Sequence, residues 1–412
     1  MSGTVLAQAV TLAAVPVLAR LYDPHDFGAF GLYTTILSIL GGIGCLRYEL
    51  AIVLPRTRHG GAQVFALAAL VAVALSFLVL IAVALWRVEL AALFKQPTFR
   101  TLLWWMPPSI LGLAAYQALN YWATRSSRFK TLSSSQVFRA VAVTATQVGS
   151  AGQMAAGGGL VVGQLVGQWV ANVTLFRQVV RHDLAVVRTA LRPSRMWRQA
   201  QRYASFPLHG APQALLNSVS QAIPVLMLGM YFAPAVVGLY VMTNRVVAAP
   251  MTLISQGARQ AFMPSFARQL NAGDRLLPPL RRYTLILAGL GLPATVLFAL
   301  FGGVLFGFVL GERWTEAGHY AGWVGVWLWL GMANVPAITV LTVLERQRTQ
   351  LIYEIVLLLG RVAALASAAW THSALTTIAL FSVVGAAANG SLVLIGLSAA
   401  RKHDARLTLT EA

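Results

Sequence analysis

Carboxylates are scarce in this chain. Twelve Asp and Glu residues stand against 31 Lys and Arg in 412 residues, and charged residues of both signs make up only 10% of the whole. Soluble domains carry roughly 25% charged residues, so too few polar side chains are present to cover a water-facing surface. Cysteine is nearly absent: Cys45 stands alone, which excludes an intrachain disulfide and a thiolate metal cluster. Long polar intervals are missing too. No segment between apolar runs exceeds about 30 residues, leaving no room for a catalytic domain outside a membrane. The sequence shows no nucleotide loop, metal constellation or catalytic triad, so neither a cofactor nor a metal is expected and the chain is not read as an enzyme.

What is present is apolar. Hydrophobic residues make up 58% of the chain. Runs of about 20 of them recur from end to end, each long enough to cross a hydrocarbon core of about 30 Å. About twelve spans are expected: 2–19, 27–46, 62–86, 101–122, 134–154, 157–176, 206–229, 235–258, 283–309, 319–343, 350–370 and 374–398. Placing the N-terminus inside puts 23 basic residues in the inner loops and tail, and five in the outer loops. That bias predicts a multi-pass membrane protein with both termini cytoplasmic. In a soluble protein a net charge of +19 would suggest nucleic acid. Here the bases sit in short loops without an aromatic-basic motif, so no nucleic-acid partner is expected.

The chain echoes itself. Val15-Pro16-Val17-Leu18 followed by Phe27-Gly28-Ala29-Phe30 is matched by Ile223-Pro224-Val225-Leu226 followed by Val237-Gly238-Leu239-Tyr240. Arg139-Ala140-Val141-Ala142 is matched by Arg361-Val362-Ala363-Ala364, each after a short basic loop. The offsets cover six spans, an even number, so the repeats are parallel and related by an axis along the membrane normal. The expected organisation is an N-terminal six-helix lobe at 1–180, a basic cytoplasmic linker at 181–205, a C-terminal six-helix lobe at 206–400 and a cytoplasmic tail at 401–412.

The stretch Leu18-Ala19-Arg20-Leu21-Tyr22-Asp23-Pro24-His25-Asp26-Phe27-Gly28, followed by Leu46-Arg47-Tyr48-Glu49-Leu50-Ala51-Ile52-Val53-Leu54-Pro55, resembles the polysaccharide-transporter family of the multidrug/oligosaccharidyl-lipid/polysaccharide (MOP) superfamily. Asn120-Tyr121-Trp122, Tyr203-Ala204-Ser205-Phe206-Pro207 and Gly311-Glu312-Arg313-Trp314 support it. The resemblance implies an all-α, MATE-like membrane protein of two six-helix lobes. It also implies the work of an O-antigen or exopolysaccharide flippase, which moves undecaprenyl-pyrophosphate-linked sugars from the inner to the outer leaflet. Its implied partners are the lipid-linked oligosaccharide, the bilayer, and a polysaccharide polymerase and glycosyltransferases.

Charges inside spans cost roughly 2.5–3.5 kcal/mol each on insertion scales, so they face a cavity or a partner. Arg245 and Arg361 lie near mid-span; Arg139 lies nearer the cytoplasmic end. Structural pairing or snorkelling is the plain reading. The functional one is a cationic cavity for a diphosphate, with Arg245 and Arg361 on the headgroup and Arg139 guiding it in, because guanidinium groups bind phosphate bidentately and stay protonated. Gln213 and Asn217, four apart on one helix face, either tie helices together or line a sugar path. Glu354, the acidic residue placed within a span, is a candidate for ion coupling or a structural partner. Asp26 is expected to cap the second helix after an Asp23-Pro24 turn. The leading function is alternating access by two lobes around a cationic cavity. A small-molecule exporter of the same fold and a membrane-embedded glycosyltransferase or polymerase are the alternatives.

Overall fold

The computed structural model describes residues 2–154, 157–190 and 192–410. These residues are all-α, with no strand among them. With 27–46 and 134–154 running past the helix ends at Gly41 and Gly149 into turns, every expected span lies mainly on helix. In chain order these are α1 (Gly3–Leu21), α2 (Pro24–Gly41), α3 (Arg58–Leu93), α4 (Met106–Arg125), α5 (Phe129–Gly149) and α6 (Gly158–His182). They continue as α7 (Phe206–Tyr231), α8 (Pro234–Ala272), α9 (Leu277–Leu310), α10 (Glu312–Val343), α11 (Arg348–Ala366) and α12 (Ala374–Leu407). Nine of these are long and apolar enough to cross a membrane by themselves. The other three, α2, α4 and α5, are helical where expected but carry more polar residues and fall short of that measure.

Packing divides the chain into two compact units, Met1–Gly238 and Leu239–Ala412. This boundary lies in the first turn of α8, after the 181–205 segment expected to separate the lobes. The division by contacts differs from a division by repeat because α7, the first helix of the second repeat, lies against α2. The 181–205 segment itself holds two short helices, Leu184–Ala190 and Pro193–Arg202. Their Ala190 and Met196 are buried in a core cluster with α3 and α4.

Local chemistry explains the helix ends. At the start of α2, Asp23 rather than Asp26 is the N-cap. Its carboxylate accepts from the Asp26 N–H at 2.9 Å, while the Asp26 carboxylate accepts from the Asp23 N–H at 3.3 Å, a reciprocal capping box. Asp26 completes the cap from the third helical position. Pro107 opens α4, and Pro212 and Pro336 follow breaks within α7 and α10, where the helix restarts at Ala211 and Val335 and a missing N–H costs little. Pro224, Pro250 and Pro293 lie inside helices, where each removes an internal hydrogen bond.

The two echoes found in the sequence are also structural. Tyr22 and Phe232 end their helices in extended conformation, and Pro24 and Pro234 open the next ones. Gly28 and Gly238, the residues the repeat equates, meet reciprocally. A Cβ on Gly28 would strike the Pro234 carbonyl, and one on Gly238 the Pro24 carbonyl. The second echo shares a turn. Arg128 N–H donates to Ala123 O and Arg346 N–H to Leu341 O, both at 2.9 Å. The preceding Ser127 and Glu345 adopt φ of 53° and 56°. The same left-handed closure of a helix C-terminus therefore precedes α5 and α11.

Candidate functional site

In the first unit α2, α4, α5 and α6 enclose a cavity of about 200 Å³. Polar groups reach it from each helix: Thr34 and Ser38, Ser109, Arg139, and Gln164 with Gln168. Several are already committed. Tyr33 donates to Ser109 at 2.7 Å, Thr34 to the Phe30 carbonyl at 2.9 Å, and Gln168 to the Gly112 carbonyl at 3.4 Å. Arg139 is half-buried. Its guanidinium stands 5.8 Å from the centre of the Tyr116 ring, a cation–π distance. It has no hydrogen bond or ion pair with a described residue. The cavity therefore holds one guanidinium with unspent donors and no carboxylate in its lining.

Arg361 occupies the corresponding place in the second unit, on α11. It counts fifteen residues from the shared turn at Arg346, where Arg139 counts eleven from Arg128. The difference of one helical turn sets it about 6 Å deeper. Its guanidinium lies 5.0 Å from the Trp327 ring centre on α10 and 5.3 Å from that of Phe381 on α12. The two rings meet edge to face at 5.1 Å. Its Nε is buried without a partner. Tyr240, Tyr353 and Glu354 lie within electrostatic reach. Beside it an amide network ties three helices: Asn334 donates to Asn389 at 2.6 Å, Tyr353 donates to the same oxygen at 3.2 Å, and Asn389 donates to the Trp327 carbonyl at 3.2 Å. Gln147 and Asn172 tie helices similarly in the first unit, to Leu160 and Gly112 carbonyls at 3.0 and 2.8 Å.

The remaining candidates stand apart. Arg245 is half-buried on α8 and has no hydrogen bond, ion pair or ring contact with a described residue. Gln213 and Asn217 are exposed on α7 and tie no helices together. Glu354 is exposed on α11 among exposed Ile352, Ile355 and Val356. Among the described residues protein buries two carboxylates, Asp183 at 1% and Glu49 at 2% exposed, the latter in the short helix Tyr48–Ala51. Glu49 lies 3.6 Å from Arg47, and its second oxygen has no partner. Burial pushes this carboxyl above its ordinary value, with Arg47 partly opposing that rise. In the sequence, only its place in the opening motif sets Glu49 apart; nothing there marks it as buried. Among the described residues no group of His, Cys, Asp or Glu is arranged to hold a metal.

A family model described as polysaccharide biosynthesis protein matches residues 17–319. Among solved structures, the chain is similar to an inward-facing multidrug-resistance MATE transporter of the MOP superfamily. Identity is 15% and the TM-score 0.70, covering 98% of this chain and 96% of that one. It is similar to the lipid II flippase MurJ in an inward closed conformation, at 9% identity and TM-score 0.74, covering 99% and 90%. A MOP-superfamily transporter from Pyrococcus furiosus, described by the reverse polarity of its binding pocket, matches at 13% identity and TM-score 0.51, covering 99% and 93%. No curated protein gives a significant match. At these identities the structural likenesses speak to fold alone.

Proposed function

Since the chain belongs to the polysaccharide biosynthesis protein family and has the fold of MOP-superfamily transporters, not of enzymes, we propose that it flips lipid-linked oligosaccharides across the bacterial inner membrane. The carrier is an undecaprenyl diphosphate, and the product feeds surface polysaccharide such as O-antigen or exopolysaccharide. The supporting observation is the uncompensated guanidinium of Arg139 in a cavity that polar side chains of four helices reach. An anion crossing a low-dielectric layer gains most from donors already held in place and not neutralised by a carboxylate. Arg361, the echo of Arg139, adds a guanidinium held against the Trp327 and Phe381 rings with a buried, unpartnered Nε. Arg245 adds a third uncommitted guanidinium. Within each unit these groups hold the diphosphate while the polyprenyl tail stays in lipid, with Gln213 and Asn217 offering hydrogen bonds to the sugars. Polymerase and glycosyltransferases act before and after this step.

The likeness to a multidrug transporter favours a second reading, export of small molecules by the same fold. Cationic compounds, however, would meet a positive interior. The two readings separate in proteoliposomes. Alanine at Arg139 or Arg361 should cut flipping of a polyprenyl-diphosphate sugar at least tenfold with unchanged membrane abundance, and lysine should restore part of it. Full flipping by the double alanine variant would refute the proposal. Export of a cationic dye by the wild-type protein would favour the exporter.

A further inference from the structure

A second cationic pocket, apart from the cavity of Arg139, opens on the first unit where the 53–58 loop meets the end of α4 and the turn into α5. It encloses about 620 Å³ and is lined by Arg56, Arg58, Arg125 and Arg128, with Ser126 and Trp122. Basic residues on an inner loop are expected from topology alone, but these are built in. Arg125 spends both terminal nitrogens on the carbonyls of Ile52, Val53, Pro55 and Thr57, at 3.1, 3.0, 2.6 and 2.9 Å, which fixes the loop as a wall. Asp183, buried and reaching in from the end of α6, holds Arg58 and Arg128, the latter at 2.9 Å. The Trp122 indole N–H binds the same carboxylate at 2.9 Å.

The pinning leaves donors free. Arg128 Nη1 is shared between Asp183 and the Gln178 carbonyl, so its Nη2 and Nε remain. Arg58 uses Nη2 on Asp183 and His182 and keeps Nη1 and Nε. Arg56 has no partner among the described residues. Four guanidiniums line the pocket, and two of them hold a single carboxylate that is wholly buried. Beside the pocket, Val53, Leu54 and Phe129 are exposed by 39, 53 and 60%, apolar side chains next to a cationic hollow. This pairing fits a phosphate ester carrying hydrocarbon chains better than it fits a free anion.

We infer that this pocket binds the headgroup of an anionic phospholipid in the cytoplasmic leaflet, with the acyl chains lying over Val53, Leu54 and Phe129. Basic pockets at the inner ends of membrane helices suit such headgroups, each arginine contributing about fivefold in affinity. The inference rests on the membrane orientation and not on the transported substrate. The test is native mass spectrometry of the purified full-length protein, equilibrated with equal amounts of phosphatidylglycerol and phosphatidylcholine. The wild-type protein should retain phosphatidylglycerol selectively. Arg56→Ala should weaken retention about fivefold and Arg56→Glu more strongly, both with unchanged thermal stability, since Arg56 supports no other residue. Equal retention of the two lipids, or retention by Arg56→Glu equal to wild type, would overturn the site. Displacement by millimolar inorganic pyrophosphate would overturn the lipid assignment in favour of a free phosphoryl ligand. A preference for a polyprenyl diphosphate over the phospholipid, abolished by Arg56→Glu, would make the pocket a substrate site instead. A reporter fused after Lys130 that reads periplasmic would remove the assignment to the cytoplasmic leaflet.

Discussion

Replacing Asp183 by alanine removes the acceptor on which Arg58, Arg128 and Trp122 converge. The indole of Trp122 is 1% exposed, so its N–H would be left buried and unpaired at a cost of about 1–3 kcal/mol. Breaking a buried ion pair costs about 3–5 kcal/mol. Here that figure is an upper bound, because the Arg128 and Arg58 side chains are 20 and 55% exposed and can rehydrate. A net loss of about 3 kcal/mol follows, falling on the segment that Asp183 anchors, the Leu184–Ala190 helix against α3. Amide hydrogen exchange reads such a local opening directly. Exchange across 184–190 should accelerate about 100-fold, at 1.4 kcal/mol per factor of ten. Asparagine, keeping one acceptor oxygen, should give a smaller increase. Combining Asp183→Ala with Trp122→Phe should cost less than the sum of the two, since both remove one hydrogen bond. Exchange in Asp183→Ala within about threefold of wild type would refute the reasoning, as a cost near 3 kcal/mol cannot hide there.

Gly28→Ala should destabilise the first unit by about 1–3 kcal/mol, because the added methyl meets the Pro234 backbone carbonyl, which no rotamer change can relieve. Gly149→Ala meets nothing within 4 Å and is the control; equal thermal stability of the two variants would contradict the close approach. Glu49 carries a pH signature. Its folded pKa is raised above the ordinary 4.5 by burial, so the native state holds the proton more tightly than the unfolded one. Its stability contribution is full below pH 4.5 and is lost as pH rises through the folded value, by about 1.4 kcal/mol for every pH unit separating the folded from the unfolded pKa. Glu49→Gln should flatten that decline in a thermal-shift pH series, and an unaltered slope would show that the carboxyl is not held protonated.

The order of residues alone determined where this chain is helical, and it placed the turns between helices. Apolar runs of spanning length, the proline and aspartate at Asp23-Pro24, and the echo of Gly28 in Gly238 are all local or periodic signals. A backbone surrounded by hydrocarbon satisfies them in one way, by helix. Which face of each helix turns inward is a different matter. Lipid is as apolar as a helix interface, so a span such as α11 carries little pattern to show that Arg361 rests against Trp327 and Phe381 while Glu354 is exposed. Tertiary structure alone decided that, and it decided the fate of the carboxylates too. Asp183 sits in a stretch that reads as a basic loop, and Glu49 at the edge of a span. Each is buried because arginines and a tryptophan distant in sequence, or a neighbouring arginine in a left-handed conformation (Arg47, φ 64°), are brought to it by packing. Charge bias and periodicity are sums over many residues and survive in one dimension; the burial of a single carboxylate depends on a few side chains meeting in three.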